Sequence, residues 1–359
     1  MEGVIVSALA SFFKGKKILI TGHTGFKGAW LCQILTNFGA EVFGYALAPN
    51  TEPNLYSILK INGKLEEKIA DIRHYKTLND YIQKTKPQIV IHMAAQPLVR
   101  DSYDDPLYTF ETNVMGTANV LEAIRHCNSI KSAVIVTTDK VYENENAQKP
   151  FCESDRLGGH DPYSSSKVCA EFVTDCYSKS FLNKKTNPGS ALVASARAGN
   201  VIGGGDWSKD RLIPDIIRAQ QLNKTLILRN PGAIRPWQHA FDPLFGYLIL
   251  SKKLYEQSVS GERTLSSAYN FAPEESNFIT VKDIVKKSGA NFQIQQDKTK
   301  HEMKTLKLDS KKAKQELGWE PKLKIDDVLN WTFEWYEKQA RNEDMVSFTD
   351  GQIEKYLSL

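Results

Sequence analysis

The stretch KILITGHTGFKG, Lys17 to Gly28, decides how the rest of this chain is read. Lys17 to Thr21 is a short β-rich run of the kind that fits a buried parallel strand, and Gly25 to Phe38 reads as a helix. Between them Gly22, Gly25 and Gly28 fall at three-residue spacing. Strand, glycine turn and helix in that order form a dinucleotide-binding turn, whereas the same glycines without that context would read as an ordinary flexible loop. The glycines let the backbone turn tightly and approach a pyrophosphate, and the helix N-terminus offers free N–H donors to the anion.

Outward from this turn the chain alternates strands and helices. Glu41 to Leu47 is a second strand. At its end an NAD-selective protein often carries an acid for the ribose hydroxyls, but here Tyr45, Ala46 and Leu47 stand there, so the choice between NAD and NADP is weakly specified. Ile69 to Ile72 reads as a third strand carrying Asp71, and Gln88 to Met93 as a fourth that leads into Ala94, Ala95 and Gln96. Small residues there would let a cofactor lie close to the backbone. Asp105 to Cys127 reads as a long amphipathic helix containing Asn113, Ala133 to Thr138 as a fifth strand, and Ala191 to Ala196 as another. The alternation predicts an α/β fold, a Rossmann-type doubly wound parallel sheet with a smaller mixed α/β substrate-binding domain. The expected division is 1–199, with 233–258, for the dinucleotide and 200–232 with 259–359 for the substrate.

Candidate chemistry gathers at two places. Thr138, Asp139 and Lys140 close the fifth strand, where ligands bind in open α/β sheets. In DPYSSSK, Asp161 to Lys167, Tyr163 and Lys167 are four residues apart, hence on one helix face. A lysine cation beside a phenol whose ordinary pKa is ~10 favours the phenolate and makes the tyrosine a base. The glycine-rich RAGNVIGGGDW, Arg197 to Trp207, reads either as a loop folded tightly around something or as a domain hinge. Arg211, and Arg235 within RNPGAIRPWQH, are candidate diphosphate ligands, because the guanidinium fork suits phosphate oxygens.

Bulk properties exclude several functions. With 46 Lys+Arg against 42 Asp+Glu the formal charge is only +4, which argues against nucleic acid as a partner. The five cysteines form no C-x-x-C pair and fit free thiols in a reducing cytoplasm. No pair of histidines has H-x-x-x-H spacing, so no metal is expected. Val4 to Phe13 is apolar but has no basic residue before it and a KGKK run after it, so it reads as an N-terminal helix or arm. No stretch approaches the ~20 apolar residues of a membrane span.

GHTGFKG, TTDK, YSSSK and RAGNVIGGGDW in this order resemble the extended short-chain dehydrogenase/reductase family, and more narrowly its CDP-glucose-type 4,6-dehydratases. The resemblance runs from about Phe12 to the last helix. It includes MAAQPLVR (Met93 to Arg100), TNVMGT (Thr112 to Thr117) and IRPWQH (Ile234 to His239). It implies a tightly bound NAD on Gly22, Thr24, Gly25, Phe26, Lys27 and Gly28, with Asp71 and Ile72 at the adenine and Ala94 and Ala95 against the cofactor. It further implies a catalytic trio of Thr138, Tyr163 and Lys167, with Asn113 supporting Lys167 through water, and Gln96, Asn200, Arg211 and Arg235 on the substrate. The implied reaction oxidises C4 of CDP-glucose, removes water across C5 and C6 with Asp139 as acid, and reduces C6, as a step toward deoxysugars of a surface polysaccharide. The dTDP-glucose enzymes carry Thr-Asp-Glu at this point, with the glutamate as C5 base; this chain has Lys140, which is either the base or a stabiliser of the enolate. A homodimer or homotetramer in the cytoplasm is implied as well. Another nucleotide-sugar 4,6-dehydratase or a 4-epimerase on the same scaffold, and a non-catalytic dinucleotide sensor, are the rival readings; an epimerase has no obvious use for an Asp-Lys pair after Thr138, and a sensor usually loses the tyrosine or the lysine.

Overall fold

The computed structural model describes residues 2–144, 149–183, 190–295 and 306–359. Its centre is a sheet of seven parallel strands: β1 (Lys17–Thr21), β2 (Glu41–Ala46), β3 (Glu66–Ile69), β4 (Ile89–His92), β5 (Ser132–Val136), β6 (Leu192–Ala198) and β7 (Ala268–Phe271). They lie in the order β7-β6-β5-β4-β1-β2-β3. The chain runs outward from β1 to β3, returns to pair β4 with β1, and then builds toward the other edge. The crevice where the order reverses lies beyond the ends of β1 and β4, and Gly22 and Ala94 follow close after those two strands.

Burial explains which strands were readable. In β4, β5 and β6 every residue is buried, because helices cover both faces of a parallel sheet, and such strands read as continuous apolar runs. β3 is an edge strand of sequence EEKI with three of its four residues exposed. Hence the apolar reading shifted it: the strand ends at Ile69, and Asp71 and Ile72 lie in the turn beyond it. The expected helix from Asp105 to Cys127 is present, capped by the Asp105 side chain, but a π turn at Glu111–Met115 interrupts it.

The later part of the chain packs onto this sheet. The helix Phe241–Ser260 lies on β4, β5 and β6, and the N-terminal helix Glu2–Phe13 contacts it. β7 belongs to the sheet although it falls in the range 259–359 expected for the substrate side. Sequence reading also missed the final helix, Met345–Ser358, which follows Ile325–Ala340.

The glycine-rich loop after β6 folds tightly around this chain's own side chains. Trp335 of the helix Ile325–Ala340 is fully buried, and a Cβ on Gly204 would stand 2.0 Å from its Cγ. Gly204 also accepts a hydrogen bond from the Trp30 indole at 3.0 Å. Gly205 has φ +83°, a conformation L side chains rarely adopt. Gly204→Ala should therefore destabilise the protein by about 1–3 kcal/mol through overpacking. Urea denaturation checks this, and an unchanged midpoint would mean that Trp335 is not held as described.

Candidate active site

The site is built where β1, β4 and β5 end. Gly22 has φ +78°, and a Cβ there would lie 2.7 Å from the Ala94 nitrogen, so the turn after β1 rests directly on the backbone after β4. A Cβ on Gly28 would stand 2.1 Å from the Gly22 carbonyl oxygen, which makes that position a glycine for packing of helix on turn. The helix Phe26–Asn37 begins at Gly25 with no side-chain cap, leaving its first N–H groups for a ligand. Thr24 does not face that anion site with its hydroxyl, which donates to the Leu47 carbonyl at 2.8 Å. The Phe26 ring packs against Gly203.

Thr138, Asp139 and Lys140 form the first turn past β5, with Thr138 capping it. The Thr138 hydroxyl donates to Asp139 Oδ1 at 3.0 Å. Asp139 is buried, and its Oδ2 has no hydrogen-bond partner among the described residues. Burial raises its pKa above the ordinary carboxylate value, against the opposing pull of Lys140, Thr138 and Arg235. A Cβ on Gly199 would lie 1.8 Å from that Oδ2, so the glycine of RAGN exists to admit the carboxyl group.

The helix Pro162–Tyr177 starts with a capping box between Asp161 and Ser164, which sets the angle at which Tyr163 enters the cleft. Burial pushes the Tyr163 phenol up to about 12, while its hydrogen bond with Thr138 works to lower it and Asp139 to raise it. Lys167 points its Nζ at the Val136 carbonyl, 3.3 Å away, and burial lowers it to about 8 despite the Glu171 carboxylate. Lys140 Nζ lies 5.9 Å from the centre of the Tyr163 ring.

The remaining candidates converge on the same centre, with some in other roles. Arg235 acts on Asp139, and Arg211, held by Asp206 at 3.0 Å, acts on Tyr163. Asn200 follows Gly199 in a left-handed turn at φ +48°. Lys27 is half-buried beneath this group, where desolvation and the charges of Lys167 and Arg211 lower it to about 7. Asn113 holds Gln96 from both sides: its Oδ1 accepts the Gln96 N–H at 2.8 Å and its Nδ2 donates to the Gln96 carbonyl at 3.1 Å and to Ser166 Oγ at 2.9 Å. Its side chain is thus engaged by the chain itself. Gln96 likewise has its amide on Leu98 and Thr109, and the Asp71 carboxylate is gripped by Arg73. Among the described residues no cluster could hold a metal ion.

Three contributors escaped sequence reading. Glu171, one turn after Lys167, accepts from Thr137 at 2.5 Å and from two nitrogens of Arg197 at 2.9 Å each. Its spacing of four from Lys167 was the available signal. Arg197 also donates to the Tyr142 hydroxyl at 2.7 Å. His92 ends β4, and only its polarity within an apolar strand marked it.

A glycine turn at the switch point, with threonine, tyrosine and lysine converging beyond the neighbouring strand, defines the class of extended short-chain dehydrogenases/reductases. Within that class the chain belongs to the GDP-mannose 4,6-dehydratase family, whose sequence profile matches residues 19–332. The CDP-glucose 4,6-dehydratase of Salmonella typhimurium is 43% identical over 355 residues, covering 97% of this chain and 98% of that protein. The GDP-mannose 4,6-dehydratase of Vibrio cholerae is 26% identical, over 87% of this chain and 91% of its own. Among solved structures, the Bacillus anthracis dTDP-glucose 4,6-dehydratase in complex with NAD superposes with a TM-score of 0.75 at 23% identity, over 93% of this chain and all of that one. The Stenotrophomonas maltophila UDP-glucose 4-epimerase with bound NAD gives 0.78 at 21%, over 91% and 99%. These two likenesses establish the fold.

Gly199→Ala tests the placement of the acid. It should push the Asp139 carboxyl out of its recess and lower turnover at least tenfold, with dinucleotide binding kept. Steady-state kinetics beside a dinucleotide titration decide this, and unchanged turnover would remove Gly199 from the site.

Proposed function

We propose that this chain is a nucleotide-sugar 4,6-dehydratase that converts CDP-glucose to CDP-4-dehydro-6-deoxyglucose and water, with NAD as resident cofactor. The observation that carries the reading is the buried, partly unpartnered carboxyl of Asp139 between Thr138 and Lys140, beside Tyr163. An epimerase on this scaffold needs only the redox step and has no use for such an acid. The 43% identity to a CDP-glucose 4,6-dehydratase over nearly the whole chain supports the choice of substrate.

The residues present fit a dinucleotide. The uncapped helix after Gly25 and the clearance at Gly22 and Gly28 suit a pyrophosphate, and β2 ends without an acid, so NADP stays open beside NAD. Gly22, Gly25, Phe26, Lys27 and Gly28 would hold the pyrophosphate, the turn at Asp71 and Ile72 the adenine, and Ala94 and Ala95 the middle of the cofactor. Bound there, the nicotinamide supplies the two-electron acceptor for sugar C4 and the donor for C6. Thr138 holds the sugar 4-hydroxyl and Tyr163 removes its proton, assisted by the positive charge of Lys167. The resulting 4-ketone acidifies the C5 proton. Lys140 removes that proton and one returns to C5 once C6 is reduced, while Asp139, whose carboxyl burial favours in the protonated form, delivers its proton to the departing 6-hydroxyl. Asn200, Arg211 and Arg235 would bind the diphosphate of the sugar nucleotide, with Gln96 shaping the wall beside it.

The substrate side is 200–232 together with most of 259–359, β7 excepted. Tyr103, Leu107, Met115 and Phe172 are exposed apolar residues around the helices of Asn113 and Tyr163, and a second copy of the chain, in a dimer or tetramer, would cover them. No helix among the described residues is long and apolar enough to cross a membrane, and the working compartment would be the cytoplasm.

The test is incubation with CDP-, dTDP-, UDP- and GDP-linked hexoses in deuterated water, with and without added NAD, read by product mass and sugar NMR. A 4-keto-6-deoxy product from CDP-glucose alone, with deuterium at C5, is expected; turnover of another sugar nucleotide in its place would reassign the pocket around Asn200 and Arg235. Lys140→Met should abolish C5 exchange while oxidation at C4 stays measurable, and undiminished exchange would rule Lys140 out as the base.

A further inference from the structure

His92 is a buried imidazole that the chemistry above does not use, and both of its ring nitrogens are engaged. Proton accounting determines its form. The Thr117 hydroxyl donates to the Asn113 carbonyl at 2.7 Å, so toward His92 it can only accept, and Nε2 carries the proton across 3.1 Å. Nδ1 is then the acceptor, and it receives the Thr21 hydroxyl at 2.6 Å. The Thr21 oxygen in turn accepts the N–H groups of Met93 at 3.2 Å and Ala94 at 3.3 Å. Burial, reinforced by the nearby Lys167 charge, lowers the ring to about 3, so it stays neutral and this pattern holds at every working pH. Lys167 is the charged group that faces it.

The two nitrogens lead to different parts of the site. From Nδ1 the path runs through Thr21 to Ala94, on which Gly22 rests within 2.7 Å of any added Cβ, and so to the floor of the dinucleotide cleft. From Nε2 it runs through Thr117 to the Asn113 carbonyl in the π turn Glu111–Met115. Asn113 clasps Gln96 and donates to Ser166, whose hydroxyl donates to the Tyr163 carbonyl at 2.7 Å. Single-turn π bulges within α-helices often mark functional sites, and here the bulge faces the catalytic helix.

We infer that His92 is a positioning residue with two separable tasks: Nδ1 sets the floor under the dinucleotide, and Nε2 sets the π turn that braces the Tyr163 helix. No proton moves through it, and it touches neither reacting sugar nor base. The inference rests on the proposed activity for one of its three readouts only.

The tasks separate because Asn and Gln each reproduce one nitrogen. In His92→Asn the amide reaches about as far as Nδ1 and leaves Thr117 without its donor. In His92→Gln the amide reaches about as far as Nε2 and leaves the Thr21 hydroxyl without its acceptor. Three quantities are measured on each variant: the NAD dissociation constant of cofactor-stripped protein, hydrogen exchange of the 111–117 and 162–167 amides, and kcat with KM on CDP-glucose. For a lost buried hydrogen bond the expected effect is about tenfold. His92→Gln should weaken NAD by that factor and keep the Tyr163 segment protected, with kcat at saturating NAD little changed. His92→Asn should bind NAD normally, exchange faster at 111–117 and 162–167, and lose kcat rather than KM. Thr117→Val, which leaves β4 intact, should reproduce the His92→Asn pattern and serves if a His92 variant does not fold. Equal losses in NAD binding and exchange for both substitutions, or no loss in either, overturn the division of labour. The first two readouts do not involve the sugar, so a failure of CDP-glucose turnover in the unmodified protein would count against the proposed activity and leave this inference to be decided on its own.

Discussion

The carboxylate of Glu171 is the junction on which the active site depends. It accepts from Thr137 at the end of β5 and from Arg197 in β6, and it stands on the same helix as Tyr163 and Lys167. Both Glu171 and Arg197 are about 95% buried, so neither can be left without the other. Removing one partner of such a pair costs about 3–5 kcal/mol, because a charge stays behind in a poorly polar interior. Arg197 carries the connection on through Tyr142 to Asn270 of β7. The turn that holds Thr138, Asp139 and Lys140, the helix that holds Tyr163 and the two outer strands thus share one buried polar network. Such a network specifies a unique arrangement when every member is satisfied.

Desolvation sets the protonation of the groups inside this frame. It is the leading cause for Tyr163 and Asp139, which it raises, and for Lys27, Lys167 and His92, which it lowers. All five shifts favour the uncharged form. Burial thus works against charge on each of these groups, and the charges of neighbouring groups and bound ligands add to that balance.

Legibility followed burial. β1, β4 and β5 showed as apolar runs because both faces of the sheet are covered, and the glycine turn was readable because its spacing is imposed by contact with Ala94 and by the helix behind it. β3 was displaced because an edge strand of EEKI has no apolar pattern to read. β7 and the helix Met345–Ser358 were missed, since their places depend on partners far away in the chain. Within the site, Tyr163, Lys167 and the Thr138 turn were legible from local spacing. Glu171, Arg197 and His92 were not, because their roles exist only once β4, β5, β6 and the helix Pro162–Tyr177 meet. The Gly204 loop was ambiguous between a hinge and a tight wrap until Trp335, 131 residues later, was seen to fill it.

The position of β7 has a consequence for synthesis on the ribosome. β6 is complete at Ala198, but the strand that pairs with its outer side is not made until Ala268–Phe271, with residues 199–267 made in between. For that interval the nascent chain carries β6 as an open edge, a ready template for wrong pairing. The Asn270 side chain then donates to the carbonyls of Phe151 and Asp309, so arrival of β7 also ties down an early loop and a late one. A product terminated before Ala268 would keep the glycine turn, the Thr138 turn and the Tyr163 helix, yet leave them on a sheet that can still accept a stranger's strand.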